Sequence, residues 1–397
     1  MSNNMLKIIS LTSVLSVFLS SCKSLSVNMI ADEELIEELI EAQKDRSTTS
    51  KKLNIKNAND NPLENKKFKI NELDALLIRT ILEENNVSNS PNQALFWASK
   101  NQQNEVVMWL IAKGEADINK KDQDGWTPLH FAARYGYTSI AELLIKHGAQ
   151  INIKAEDEFT PLHLAARYGY TSVAELLIQH GAQINIKAKD EFTPLHLAAE
   201  HNHVSVAELL ISHGADLNAK DQHGQTYWYN FAPLHLAANN NHIAMAELLI
   251  SHGANVNEKD KHVRTPLHWA TGHKDTSLAA LLIKYGADIS EKDKYSRTPW
   301  HWAARQNNAS FLKLLYSINS NNRSIRLCAL KRLGAFKKFL NSELFDRNLI
   351  KVMLIYGDCN IDIKDSQGNT PLDIARQKGH KETVEILEAI INSYTRT

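Results

Sequence analysis

From Thr127 onward the apolar and polar residues fall into a two-stroke pattern: a short apolar burst, a polar break that is a glycine in some copies, and a second burst. In the stretch TPLHFAARYGYTSIAELLIKHGAQIN, Leu129, Ala132 and Ala133 share one stripe of a first helix. Ile140, Leu143, Leu144 and Ile145 form the stripe of a second. Thr127 is placed to cap the first helix with its hydroxyl, and Pro128 takes the first helical position, where a missing N–H costs nothing. Gly136 breaks the first helix, and Gly148 stands where a left-handed residue ends the second. A single pair of this size cannot bury its own stripe, so the pattern predicts stacking.

The pair recurs. T-P-L-H starts at Thr127, Thr160, Thr193, Thr265 and Thr298, returns as APLH at Ala232 and closes as TPLD at Thr370. Successive copies lie 33, 33, 39, 33, 33 and 72 residues apart, and a weaker copy begins at Gln93. The copies from Thr127 and Thr160 agree at 29 of 33 positions, as expected when a tile is duplicated to lengthen an array. The interval of 39 reads as a six-residue insertion near 227–232, and that of 72 as a decayed repeat at about 323–365. Before the array, Leu73, Leu76, Leu77, Thr80 and Leu82 keep helical spacing, which predicts a capping helix within 69–92.

Period, motif and helix ends together resemble the ankyrin repeat, over roughly Gln93 to Thr397. That resemblance implies an all-α, ankyrin-repeat solenoid of about nine units, helix-loop-helix pairs joined by β-hairpins. The hairpin turn of the family is D-x-x-G. Here Glu158 and Glu191 replace the glycine, with Ala155 and Ala188 in place of the aspartate, so these two fingers are expected to adopt another turn.

The N-terminus differs in kind. Residues 1–21 hold one lysine, an apolar run too short to span a bilayer, and small residues, the layout of a secretory signal. The run ends in Leu19-Ser20-Ser21-Cys22, which resembles the lipobox of bacterial lipoproteins. The resemblance implies cleavage before Cys22, lipid attachment on its sulfur, and a place in the bacterial cell envelope. Lys23, where an aspartate favours the inner membrane, points to the outer one. Residues 22–68 combine a short helix through Leu35, Ile36, Leu39 and Ile40 with an Asn- and Lys-rich flexible spacer.

Chemistry is sparse. No phosphate-binding loop, nucleophile elbow, H-E-x-x-H or C-x-x-C occurs, and outside the array there is no length for a catalytic domain, so the chain is read as a non-enzyme without cofactors. Lys+Arg and Asp+Glu both total 45, so no global field draws it to nucleic acid, and no small-molecule substrate is indicated. Cys22, Cys328 and Cys359 are too few for a disulfide scaffold. The motif histidines at 130, 163, 196, 235, 268 and 301 recur once per layer. Layers about 10 Å apart cannot share a metal whose ligands sit within about 2.1 Å, so they are structural. In the family such a histidine hydrogen-bonds backbone between repeats. The H-G-A histidines (His147, His180, His213, His252) stand where a ring can satisfy a last-turn carbonyl.

Binding would fall on the residues that vary between tiles. The position before T-P-L-H reads Trp126, Phe159, Phe192, Gln225, Arg264, Arg297 and Asn369, with the insertion placed after Thr226. Exposed first-helix positions include Tyr135 and Tyr168, and the insertion adds Tyr227, Trp228 and Tyr229. Aromatic residues and arginine dominate interface hot spots, so Trp126, Tyr135, Phe159, Tyr168, Phe192, Tyr227, Trp228 and Tyr229, with Arg264 and Arg297, are expected to form a protein-binding strip on the concave face. The family resemblance adds a host protein as one class of partner, and an envelope structural protein that organises its neighbours is the alternative reading. A basic amphipathic helix at 323–340, with Arg323, Arg326, Lys331 and Arg332 beside Leu327, Leu330 and Leu333, offers membrane-surface binding as another. The last tile, with Asp373, Lys381, Glu382, Glu385 and Glu388, has the polar face of a terminal cap.

Overall fold

A computed structural model of the chain describes residues 72–222, 230–321 and 360–395. The expected signal peptide with Cys22, the spacer, Tyr227, Trp228 and Tyr229, and the basic helix at 323–340 lie outside the described residues.

The described residues form seventeen α-helices and one short 3-10 turn. Helix α1 (Glu72–Glu84) is followed by eight helix pairs: α2 (Pro91–Lys100) with α3 (Asn104–Lys113), α4 (Pro128–Tyr135) with α5 (Thr138–Lys146), α6 (Pro161–Tyr168) with α7 (Thr171–Gln179) and α8 (Pro194–Glu200) with α9 (Val204–Ser212). Then come α10 (Pro233–Asn239) with α11 (Ile243–Ser251), α12 (Pro266–Ala270) with α13 (Ser277–Lys284), α14 (Pro299–Arg305) with α15 (Ala309–Asn321) and α16 (Pro371–Lys378) with α17 (Lys381–Thr395). First helices pack on first helices and second on second. The alanine pairs 132–133, 165–166, 198–199, 237–238 and 303–304 are fully buried, and their small side chains allow that close approach. In α1 Ile78 and Leu82 are buried and Leu77 is half exposed.

Each T-P-L-H start closes on itself. The Thr160 amide donates to Nδ1 of His163 at 3.1 Å, and the threonine Oγ1 lies 2.9 Å from the same nitrogen. The proton is therefore on Nε2, which donates to the Phe192 carbonyl of the next tile at 3.0 Å. His130, His196, His235, His268 and His301 repeat the link to Phe159, Phe231, Arg264, Arg297 and Asn369. Two further ladders cross the layers. Asn119, Asn152, Asn185 and Asn257 each donate to a glycine carbonyl (148, 181, 214 and 286) and accept the amide two residues further on. His203, His242, His273 and His380 donate to carbonyls at the end of the preceding first helix. Gly136 and Gly169 make room for this arrangement: a Cβ there would fall 2.4 Å from the ring of Tyr170 or His203. The H-G-A rings of His213 and His252 bond the Leu209 and Leu248 carbonyls at 2.9 Å.

Three expectations are corrected. Among the described residues no β-strand occurs, so the projecting fingers are not β-hairpins. A finger is a tight turn closed by two backbone bonds, such as Asp122 N–H to the Trp126 carbonyl at 2.9 Å and Gly125 N–H to the Asp122 carbonyl at 3.1 Å, and joined to its neighbour by another, such as Glu156 N–H to the Asp124 carbonyl at 3.2 Å. Secondly, the fingers with glutamate keep the family turn: Glu158 and Glu191 adopt φ of 59° and 58°, as Gly125 and Gly368 do at 77° and 84°. Exposed ion pairs to Lys154 and Lys187 at 2.7 and 2.5 Å offset only part of the cost of about 1–2 kcal/mol.

The third concerns both long intervals. The Asp221 amide donates to the Phe231 carbonyl at 3.0 Å and Asn230 holds φ of 56°, so Phe231, not Gln225, fills the position before the motif. The extra residues thus lie between Gln222 and Asn230. No additional tile separates the pair α14–α15 from α16–α17: His301 reaches Asn369, His380 reaches Ala304, and Ser366 N–H reaches the Tyr295 carbonyl at 2.9 Å. Residues from Asn360 onward complete the tile that starts at Thr298, and the described residues hold eight stacked pairs; the rest of the expected decayed repeat at about 323–365 lies outside the described residues.

Candidate partner-binding face

The position before each motif sits at the base of a finger, directly over the buried histidine. Phe159 stacks on His163 at 5.4 Å and Phe231 on His235 at 5.5 Å, while Phe192 meets His196 edge-on at 5.6 Å. These rings shield the inter-tile hydrogen bond. Phe192 is accordingly only 7% exposed, which removes it from the expected contact strip. Burial also drives the imidazole pKa of His130, His163, His196, His235 and His268 from 6.5 to about 4, and lowers that of His301. The rings are neutral at physiological pH and have both nitrogens occupied, which leaves no lone pair for a metal. Among the described residues no cluster of three His, Cys, Asp or Glu could hold one, and no helix is long and apolar enough to cross a membrane.

Trp126, Tyr135 and Tyr168 do come together. The Arg134 guanidinium lies 5.1, 5.8 and 5.5 Å from their ring centres. Both tyrosines are exposed, Trp126 is half-buried against Phe131 at 5.3 Å, and Arg167 repeats the theme 5.9 Å over Phe159. The arginine is pre-ordered by aromatic faces, so little freedom is lost when a partner covers it. An open groove of about 670 Å³ adjoins it, edged by Lys100, Asp124, Glu156, Asp157 and Lys189.

Further along, the chemistry is exchanged between elements. The finger base holds Arg264 and Arg297, and the first helix holds Trp269 and Trp302 where the other tiles have Phe131, Leu164, Leu197 and Leu236. Arg264 Nε donates to Asp260 Oδ2 at 2.7 Å and its guanidinium lies 4.1 Å over Trp269. Trp269 Nε1 donates to the same carboxylate oxygen at 3.3 Å. Arg297, Asp293 and Trp302 repeat this with an ion pair of 2.8 Å and an indole bond of 3.1 Å. Burial alone would raise the Asp293 pKa, but the Arg297 and Trp302 donors hold it below the usual carboxylate range. Arg264 is 7% exposed and therefore a core residue, not the contact residue the sequence suggested; Arg297 keeps partial access. Sequence reasoning missed Trp269 and Trp302, although tryptophan at the motif's fifth position beside arginine four residues after aspartate was a readable signal.

The model of the family described as ankyrin repeats matches this chain three times, over residues 69–155, 151–221 and 234–326. Curated relatives match over short stretches. Ankyrin repeat domain-containing protein 49 of Bos taurus is 37% identical over 66 residues, 17% of this chain and 28% of the relative. FYVE zinc finger domain protein UPA1 of Mycosarcoma maydis is 38% identical over 66 residues, 15% of this chain and 5% of that protein. Protein phosphatase 1 regulatory subunit 27 of Mus musculus is 53% identical over 36 residues, 9% and 23% respectively. The chain thus spans less than a third of the length of each of these three relatives. With most of the described stack inside the matched segments, this chain belongs to the ankyrin-repeat family.

Proposed function

We propose that this protein is a non-enzymatic interaction scaffold, tethered to a bacterial envelope membrane through lipidated Cys22, that holds a protein partner on the face built by its fingers and first helices. The observation that carries the reading is the set of Trp126, Tyr135 and Tyr168 around Arg134, three aromatic residues and an ordered cation on one partly exposed face. Phe159 and Arg297 extend it. The apolar run that ends at Cys22 supports the tether, and Lys23 favours the outer membrane. Such placement puts a host protein or a neighbouring envelope protein within reach. A photo-crosslinking residue at Tyr135 or Tyr168 should trap one discrete partner, and the same residue at Glu142 or Glu175 on the second helices should trap none. Equal trapping at all four positions would refute the assignment of the face.

A further inference from the structure

Two successive layers present the same kind of trio on one face. Trp126, Arg134 and Tyr135 belong to the first layer, Phe159, Arg167 and Tyr168 to the next, and each counterpart stands 33 positions further on. The two tyrosines are 40% and 37% exposed, and the two finger-base rings are half-buried. Arg134 joins the layers, since its guanidinium faces Trp126 and Tyr135 of its own tile and Tyr168 of the following one. Among the described residues neither guanidinium has a hydrogen-bond acceptor or an ion-pair partner, and neither tyrosine hydroxyl is bonded. The floor of this face therefore offers N–H and O–H donors between aromatic rings, repeated once per layer. Glu200 and His201 take the places of the arginine and tyrosine in the layer after, so the floor ends there.

Layers about 8–10 Å apart set the step that an occupant must match. A polyproline II segment rises about 3.1 Å per residue with about three residues per turn, so every third residue returns to one side after about 9.3 Å. A β-strand covers about the same distance in three residues, but the third points to the opposite side. An α-helix returns after about seven residues and about 10.5 Å, yet its carbonyls are already bonded within the helix. Polyproline II has no internal hydrogen bonds, and each proline brings a carbonyl without an N–H. Such a segment supplies acceptors where Arg134 and Arg167 supply donors, and its electron-rich carbonyl oxygens meet cationic edges. The adjoining groove edge mixes both signs: Lys100 and Lys189 are basic, Asp124, Glu156 and Asp157 acidic, and Asp122 accepts the amides of Asp124 and Trp126. That mixture favours neither a strongly acidic nor a strongly basic ligand and leaves a neutral one unopposed.

We infer that the partner segment held on this face is proline-rich and in the polyproline II conformation, with prolines at every third position packing on Tyr135 and Tyr168 and carbonyls accepting from Arg134 and Arg167. The inference rests on reading this face as a protein-binding surface, and it names the chemistry of what is bound. About six to nine residues of such a segment span the two layers. A segment already extended in solution, like arginines already ordered by aromatic faces, loses little freedom on docking.

The test is the affinity of dye-labelled peptides of about nine residues for the full chain in detergent micelles, followed by fluorescence anisotropy. The probe repeats Pro-Pro-Ala; a second peptide repeats Gly-Ser-Ala, a third Asp-Gly-Ser, and a fourth is an alanine-rich helix former of about fifteen residues. The Pro-Pro-Ala peptide should bind about tenfold or more tighter than the others. Its dissociation constant should change less than about threefold between about 20 and 300 mM salt, since no ion pair forms. Tyr135→Ala and Tyr168→Ala should each weaken it about tenfold, and Glu175→Ala on a second helix should leave it unchanged. The inference is overturned by no binding of the Pro-Pro-Ala peptide at about 1 mM, by equal binding of the Gly-Ser-Ala peptide, by a preference for the aspartate peptide or the helix former, or by indifference to both tyrosine variants. If an alanine variant fails to fold, a photoreactive Pro-Pro-Ala peptide added to the unaltered chain should label residues 126–168, and labelling elsewhere overturns the inference equally. A discrete partner trapped at Tyr135 that carries no proline-rich segment leaves the scaffold standing while this inference falls.

Discussion

His301 Nε2 donates to the carbonyl of Asn369 at 3.3 Å, across 68 positions of sequence. In regular tiles the same bond spans 29 positions, as from His268 to Arg297. The stack therefore treats Thr298 to Thr370 as one layer, although they are 72 residues apart, 39 more than one period. Deleting residues 319–357, with Asp358→Gly at the sequence place of Gly286, should leave the array folded. The expected melting temperature lies within about 4 °C of wild type, and amides of α17 keep their exchange protection. Loss of protection throughout α16 and α17 would show that a tile inside the deleted segment supports them.

The buried histidines make the stack acid-sensitive. Five of them titrate near 4 when folded and near 6.5 otherwise, so between those values the unfolded chain holds more protons. Stability is complete above about 6.5 and falls as pH drops toward 4, by about 1.4 kcal/mol per pH unit for each ring. Five rings together reach about 7 kcal/mol per unit, against a typical total of about 5–15, which places acid unfolding near pH 5. Urea titrations at pH 7.5, 6 and 5 check this. Equal stability at all three would mean that the rings are protonated within the fold.

The T-P-L-H start, the alanine stripe and the glycines that end many of the helices were legible because each is a local demand on a helix end or a close approach. The fate of the longer intervals was not. Whether extra residues form a layer or interrupt one depends on which carbonyl His301 meets, and spacing alone does not say. Contact residues were half legible for a similar reason. Phe192 and Arg264 have the chemistry of hot spots, but the layer beside them decides that they roof a buried imidazole or close on Asp260 instead.

Val263 is the least suited residue for its backbone. It holds φ of 61° with a β-branched side chain, in the turn position that Gly125 fills elsewhere. Val263→Gly relieves about 1–2 kcal/mol of left-handed strain and returns about half as much to the unfolded chain, for a net gain of about 0.5–1 kcal/mol. Gly125→Ala should go the other way, since its Cβ would lie 2.7 Å from the Glu156 backbone nitrogen in the next finger. Thermal melts of both variants decide it; equal shifts of one sign would remove the strain argument.

The two arginine–aspartate–tryptophan sets predict an asymmetry within one pair. Asp260 has a fully buried side chain and takes bonds from Arg264 Nε and from Trp269 Nε1. Arg264→Ala removes the charge that makes its burial tolerable, at a cost of about 3–5 kcal/mol. Arg297→Ala should cost less, because that arginine side chain is 17% exposed and water can reach the gap. The joint change Asp260→Asn with Arg264→Leu takes away both charges and should recover most of the loss, leaving chiefly the amide bonds that Asp260 gives the finger. Chemical denaturation of the three variants measures this, and a double variant no more stable than Arg264→Ala would show that packing on Trp269, not charge pairing, holds the site.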